Sequence, residues 1–381
     1  MFKRRTYFDY AAGFSGNPSS PHAEGLRSRK QLEEARREVA RLVEAKPDDV
    51  IFTSGATEAN ALAILGHVHA LRTRAGTDAP GRNNLHALYL PSAHASIVEN
   101  MRLLSEEGIA VEPLPLQGAR VDIDAFRKML RKETVFVAME AVCGETGVVW
   151  NTREVAQALR EFSTVSGKPM LHVDASQAPL TEKMTRTHFG ADSLALDGAK
   201  IGAMHGIGAL IVPRLVPLLP LYRGGGQERG LRPGTESPEL AERFAAALRA
   251  AAKGRERFRT RAERDRTRLV AAIRAAIPSV LLINEGRPAA QAPNILNLSL
   301  PGRDTDYLVA LLDEAGFAVS TRSACETDSE EGSRAVYALT ADPERARSTL
   351  RVSWGPGVRW RDLARFARTL GSSVAFIDKE G

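Results

Sequence analysis

LHVDASQAPLTEKMTRTHFGADSLALDGAKIGAMHGIG, residues 171–208, is the stretch that decides the fold. An apolar run from Leu171 to Val173 ends in an acid, Asp174, and Gln177 follows three positions later. A second run, Asp192 to Leu196, ends in Asp197-Gly198-Ala199-Lys200, and Gly-rich turns close the segment. Each run reads as a strand that delivers a polar residue at or just past its C-terminal end. Open α/β sheets place their ligands there. Lys200 stands among small residues (Gly198, Ala199, Gly202, Ala203), so it can lie beside a bound group without steric conflict.

The amine of such a lysine forms Schiff bases with aldehydes. Taken alone, a lysine after a strand is a surface residue. Asp174 and Gln177 turn the reading toward pyridoxal phosphate, whose enzymes pair the lysine with an acid that keeps a pyridine nitrogen protonated.

Upstream, residues 26–45 repeat apolar positions at Leu32, Ala35, Val39, Leu42 and Val43, the period of a helix. VIFTSGATEANALAIL (50–65) then reads strand, small-residue turn, helix. The turn Ser54-Gly55-Ala56-Thr57 opens that helix with free backbone N–H groups and the positive end of its dipole, a cradle for phosphate. HALYLPSAHASIVENM (86–101) is a further strand, with His94 at the start of the next helix. TVFVAMEAVCGETGVV (134–149) is a strand that ends in a Gly-rich corner. The βαβ alternation through residue 213 predicts an α/β fold, a mainly parallel sheet with helices on both faces. YRGGGQERGLRPGTES (222–237) is the longest Gly/Arg loop. Beyond it, 238–277 reads as one long helix or two. The strands VLLIN, ILNLSL and AVSTRS then alternate with helices over 304–315 and 358–371. We expect a large cofactor domain over residues 1–245 and a smaller α/β domain over 246–381.

Composition narrows the class. The chain of 381 residues is 43% hydrophobic and 26% charged, ordinary for a globular protein. Its net charge of +6 comes from arginines scattered with glutamates at helical spacing between Arg243 and Arg274, and aromatics are only 6%. A nucleic-acid patch needs clustering and aromatic interleaving, so direct nucleic-acid binding is not expected. No apolar run approaches the roughly 18 residues of a membrane span. Two distant cysteines, Cys143 and Cys325, make no disulfide framework, and a reducing cytoplasm is expected. No metal-ligand motif stands out.

FTSGATEAN, HVDASQ, Lys200, GGGQERGLRPGTES, APNILNLSL, VSTRSAC and RVSWG, in this order, resemble the cysteine desulfurases of the NifS/IscS type. These belong to the class V aminotransferase group of fold-type I pyridoxal phosphate enzymes. The resemblance runs from Tyr7 to the last helix. It implies that Lys200 carries the cofactor and moves the substrate's α-proton, that Asp174 pairs with the pyridine nitrogen and Gln177 with the ring hydroxyl, and that His94 stacks on the ring and shuttles a proton. It implies that Ala56 and Thr57 hold the phosphate, joined by Thr235 from the neighbouring subunit of a homodimer. Arg351, with Asn294, would bind the carboxylate of L-cysteine. Cys325, on the polar stretch that follows it, would take the sulfur as a persulfide and pass it to an acceptor protein. Iron–sulfur cluster assembly, tRNA thiolation and DNA phosphorothioation draw on such enzymes. The alternatives are a lyase or aminotransferase of the same fold, or a cofactor-poor scaffold.

Departures from the pattern fall near the cofactor. Asp197-Gly198-Ala199-Lys200 stands where the family has Ser-Gly-His-Lys, and an acid about 5 Å from a phosphate costs about 3 kcal/mol at an effective dielectric near 20. Three outcomes are open: Asp197 points away, cofactor affinity is reduced, or the phosphate is absent. Cys143-Gly144-Glu145 stands where the family has Asn-Asn-Glu, so an amide that contacts the cofactor is missing; Cys143 would lie near the ring or, as the plainer reading has it, pack at the strand end. A helix expected between Tyr10 and Gly16 is missing. Glu326, Asp328, Glu330 and Glu331 beside Cys325 should disfavour its thiolate unless Arg322 offsets them.

Overall fold

The computed structural model describes residues 6–14, 16–74, 84–162, 168–202, 204–283, 291–321 and 332–380. In chain order the elements are α1 (Ala23–Leu42), β1 (Val50–Thr53), α2 (Ala56–Arg74), β2 (His86–Tyr89), α3 (Ala95–Glu106), β3 (Ala110–Pro113), α4 (Ile123–Met129), β4 (Thr134–Glu140), α5 (Thr152–Glu161), β5 (Met170–Asp174), α6 (Arg186–Phe189), β6 (Ser193–Asp197) and β7 (Gly208–Ile211). They continue with α7 (Pro238–Ala276), β8 (Leu281–Leu282), β9 (Ile295–Ser299), α8 (Thr305–Glu314), α9 (Arg334–Thr340), α10 (Pro343–Arg347), β10 (Thr349–Ser353) and α11 (Trp360–Glu380).

β4, β5 and β6 are almost wholly buried, so they read as near-continuous apolar runs, as strands covered on both faces do. They form the centre of a seven-stranded sheet in the order β1-β7-β6-β5-β4-β2-β3. The pairs from β6 through β5, β4 and β2 to β3 are parallel, while β7 runs antiparallel to both β1 and β6. The apolar helix α2 is buried against this sheet through residues such as Ala59, Leu62, Ala63 and Val68. Helices α1 and α7 pack on each other.

The second sheet is three-stranded and antiparallel, β10-β9-β8. Its core, with Leu296, Leu298, Leu350 and Val352, is closed by Leu308 and Leu312 of α8, Phe366 and Leu370 of α11, and Leu269 and Ile273 of α7. Residues 238–276 form one helix, and its N-terminal half serves the first core through Phe244 and Leu248. The boundary expected at residue 245 thus falls inside a continuous helix. Two expected strands are shortened. VLLIN contributes only Leu281–Leu282, and AVSTRS forms a single bridge, Ser320 with Arg351, among the described residues. Residues 7–10 form an entry segment held by Asp9, whose carboxylate accepts from Ser20 Oγ at 2.8 Å and meets His22 Nε2 at 2.9 Å. Among the described residues, no helix is long and apolar enough to cross a membrane.

Candidate active site

One edge of the large sheet collects the C-terminal ends of β1, β2, β4, β5 and β6 and the first residue of β7. Asp174 ends β5 and sits in register with Glu140 at the end of β4. The Asp174 carboxylate is held from two sides: Oδ2 accepts from Asn60 Nδ2 at 2.7 Å, and Oδ1 accepts from the Ser176 N–H at 2.9 Å. Asn60, fully buried in α2, is the hub of a polar chain. Its Nδ2 also donates to Ser96 Oγ at 2.8 Å, and its Oδ1 lies 2.9 Å from His172 Nε2. Because both amide protons point to acceptors, Oδ1 must accept from His172 Nε2–H. His172 Nδ1 then accepts from Ser193 Oγ at 2.8 Å. Burial pushes the His172 imidazolium down to about 4, so this histidine is neutral at physiological pH.

The other branch ends at His94. This residue caps α3: its Nδ1 accepts from the Ser96 N–H at 3.2 Å and lies 2.8 Å from Ser96 Oγ. With Nδ1 accepting, the ring proton sits on Nε2. One unbroken run of hydrogen bonds therefore joins His94 to Asp174 through Ser96 and Asn60.

Glu140 is only 4% exposed, and its Oε1 has no hydrogen-bond partner among the described residues. Burial first, and the nearby Asp174 charge next to it, push its carboxyl up to about 8. The shift favours the protonated form of Glu140 at neutral pH. The same burial, with Glu140 adding, pushes the Cys143 thiol well up. Cys143 is buried, its Sγ accepts from the Thr146 N–H at 3.4 Å, and it is a packed strand-end residue as expected.

A pH test follows. Glu140 binds its proton more tightly folded than unfolded, so its contribution to stability falls as pH rises from about 4.5 to 8, at up to about 1.4 kcal/mol per pH unit. His172 has the opposite sign, and its window closes near 6.5. Urea unfolding of wild type and Glu140→Gln at pH 6.5 and 8 should show the variant gaining about 2 kcal/mol relative to wild type over that interval. A constant difference would mean that Glu140 is ionised throughout.

The corner after β4 meets residues of the second sheet and of the segment before it. A Cβ at Gly144 would lie 2.9 Å from Gln177 Nε2, so the lost amide at 144 has left the space that Gln177 uses. Arg351, from β10, donates through Nη1 to the Gly144 carbonyl at 3.4 Å. The same corner is tied to the second sheet by Gln291 Nε2 on the Thr146 carbonyl at 2.7 Å and by the Ala292 N–H on the Gly147 carbonyl at 2.7 Å. Asn294 is buried, with one amide proton committed to the Trp354 carbonyl at 3.1 Å.

Lys200 follows β6 in a short 3-10 turn and is exposed. It lines a cavity of about 610 Å³ whose other walls include Leu180, Ala251, Phe258 and Arg261. That lining includes none of Asp174, His94 and Gln177.

The phosphate cradle holds an unexpected occupant. Of the three outcomes left open for Asp197, the outward-pointing one is excluded. Its Oδ2 accepts from the Ala56 N–H at 3.1 Å, and its Oδ1 accepts from the Ala199 N–H at 2.8 Å. Two residues before Ala56, the Ser54 N–H donates to Glu58 Oε2 at 2.5 Å. Thr57 lies in the first turn of α2 between these groups.

Sequence reading missed what holds the Gly/Arg loop. Glu228, 6% exposed, takes Arg36 in a two-pronged pair at 2.8 and 2.7 Å and also accepts from the Phe52 N–H at 2.9 Å. Further along, Arg232 Nε donates to Glu58 Oε1 at 3.2 Å. Thr235 is exposed beyond these anchors. Cys325, Arg322 and the acidic residues after them lie outside the described residues.

A mainly parallel sheet whose edge gathers a clamped aspartate, a capping histidine and a glutamine, with a lysine-bearing turn after β6, accords with a fold-type I pyridoxal phosphate protein. The chain belongs to the aminotransferase class-V family, whose family model matches residues 5–366. Cysteine desulfurase IscS 1 of Archaeoglobus fulgidus is 32% identical over 368 residues, 95% of this chain and 90% of that protein. The mitochondrial cysteine desulfurase of Candida maltosa is 32% identical over 97% of this chain and 74% of its own length. Among solved structures, DndA from Streptomyces lividans matches with a TM-score of 0.73 at 32% identity, covering 91% of this chain and 93% of that one. A NifS-like protein matches with a TM-score of 0.84 at 24% identity, over 95% and 92% of the two chains, and supports the fold.

These residues fit the ring half of pyridoxal phosphate. Asp174 keeps acceptor capacity beyond its two donors, and His94 presents Nε2–H. At the phosphate half, a carboxylate of the chain itself is bound to the first N–H of α2.

Proposed function

We propose that this chain is a pyridoxal-phosphate-dependent cysteine desulfurase that converts L-cysteine to L-alanine and leaves a persulfide on Cys325. The observation that carries the reading is the buried run Asp174–Asn60–Ser96–His94, set beside Gln177 and Arg351 in a chain whose relatives are named cysteine desulfurases. The cofactor, when bound, supplies an electron sink conjugated to the substrate's α-carbon.

The chain's residues do the rest. Asp174 holds a proton at the ring nitrogen, kept in place by Asn60 and Ser176. Gln177 serves the ring hydroxyl. Arg351, with Asn294 near it, takes the substrate carboxylate in the paired geometry that guanidinium favours. Lys200 would hold the cofactor through its amine and move the proton at the α-carbon, for which that amine would turn from the α7 cavity toward the ring. His94 donates from Nε2. The Cys325 thiolate takes the substrate's sulfur: an S–S bond forms as the C–S bond breaks, and the electron pair left on carbon is protonated to give alanine. The sulfur then passes to an acceptor protein. Thr235, exposed on an anchored loop, is offered to a second copy of the chain, so the working unit is a homodimer. A cytoplasmic setting accords with the sparse cysteines. Arg351, Asn294 and Cys325 belong to the smaller unit read over residues 246–381, and the other site residues to the large cofactor unit over 1–245.

A second reading, a cofactor-poor scaffold, draws on Asp197 in the cradle. Cysteine turnover separates the two. The wild-type protein loaded with pyridoxal phosphate should release alanine and carry cyanide-labile sulfur. Cys325→Ser should lose both by at least about a hundredfold while still taking up the cofactor. In that variant the remaining thiol, Cys143, should resist iodoacetamide at pH 8 until the protein is unfolded, because it is 2% exposed. Cofactor uptake without alanine from the wild type would count against the desulfurase reading.

A further inference from the structure

The start of α2 is where a phosphate would be held, and the chain has already placed a carboxylate there. Asp197 ends β6, and β7 lies between β6 and β1, with Gly208 in register with both Asp197 and Thr53. A Cβ at Gly208 would lie 2.7 Å from Gly55 Cα and 2.6 Å from the Leu196 carbonyl. The bare backbone at 208 therefore lets the two outer strands' loops come together across it. Through that gap Asp197 reaches the Ala56 N–H at 3.1 Å, and its second oxygen is fixed by the Ala199 N–H at 2.8 Å. The carboxylate also lies 3.2 Å from where a Cβ on Gly55 would stand, so it fills the hollow over the turn. Glu58 takes the Ser54 N–H and is itself held by Tyr222 and Arg232 at 3.2 Å each. Donors that an incoming anion needs are thus already paired with acids of the chain.

We propose that Asp197 is a built-in occupant of the phosphate cradle, and that a phosphate-bearing cofactor enters only by displacing it. This rests on the cofactor reading above and deepens it. Asp197 then governs which form of the cofactor binds: it opposes the phosphate and is indifferent to the ring. An anion at a helix N-terminus is favoured, but two anions in one cradle repel each other at short range.

Apo-protein would be titrated with pyridoxal phosphate and, separately, with pyridoxal, which lacks the phosphate, and binding read from the visible absorbance. Asp197→Ser should bind pyridoxal phosphate at least tenfold more tightly than wild type, while affinity for pyridoxal changes less than threefold. Asp197→Asn, which keeps an acceptor for Ala56 and drops the charge, should shift the same way and guards against a serine variant that fails to fold. Equal or weaker pyridoxal phosphate binding in the folded variants would overturn the proposal, as would an equal gain for both ligands. Failure here is distinct from failure of the desulfurase reading, which is read from alanine released by wild-type holoenzyme.

Discussion

Asp174→Asn should lower kcat/KM for alanine formation from L-cysteine by about a hundredfold to a thousandfold, the loss of about 3–4 kcal/mol of transition-state stabilisation that follows when one preorganised charged partner is removed. The substitution keeps the side chain's shape and leaves an oxygen for Asn60, so the local fold should survive at a cost of about 1–3 kcal/mol for the imperfectly satisfied donor. The charge is lost, and with it the means of holding a proton at the ring nitrogen. Asn60→Ala tests the same chain one step back. It touches no reacting atom, and it frees both Asp174 and the Ser96–His94 branch. Steady-state alanine release, with cofactor content measured in the same samples, separates lost chemistry from lost binding. An Asp174→Asn enzyme within a few-fold of wild type would remove Asp174 from the site.

The second large effect is on stability. Arg36 and Glu228 are joined by two hydrogen bonds in a buried setting, and Glu228 also receives the Phe52 N–H of β1. Removing one member leaves an unpaired charge away from water. Glu228→Ala or Arg36→Ala should therefore cost about 3–5 kcal/mol in urea unfolding. A double replacement by apolar residues of similar volume, Arg36→Met with Glu228→Met, should be less damaging than either alanine variant, since it buries no orphan charge. If each single variant costs under 1 kcal/mol, the pair is not insulated from water. Glu228 and Arg229 sit at positive φ, 45° and 62°, a conformation that side chains adopt reluctantly. Loss of the ion pair should also release the loop that presents Thr235.

Much of the site could be read from the chain because strand ends announce themselves. Apolar runs stop at Asp174 and at Asp197, and a histidine follows the strand before α3 where a cap is needed. The alternation of strands and helices was enough for the mainly parallel sheet. Partner choice was not legible. His172 lay inside a run that reads as apolar, and Asn60 inside an apolar helix, because periodicity reports burial and not which buried polar groups will meet. Asn60 did carry a signal: a lone amide on the buried face of α2, one turn from Ala56. Glu140 carried the same signal as Asp174, an acid closing a strand. Arg36 and Glu228 come from opposite ends of the large sheet's sequence, and only closure of the fold brings them together. The direction of Asp197 was undecided for a similar reason, since it depends on a strand, β7, that enters the sheet afterwards.

That late strand has a consequence for how the protein is made. Val50–Thr53 has a single sheet neighbour, Gly208–Ile211, so β1 leaves the ribosome long before its partner does. At roughly 5–20 residues per second the wait is on the order of ten seconds or more. During that time β1 faces no strand, and an unpaired strand invites wrong pairing. α1 waits longer still for α7. The nascent chain therefore carries an unpaired β1 through most of the synthesis of the large sheet.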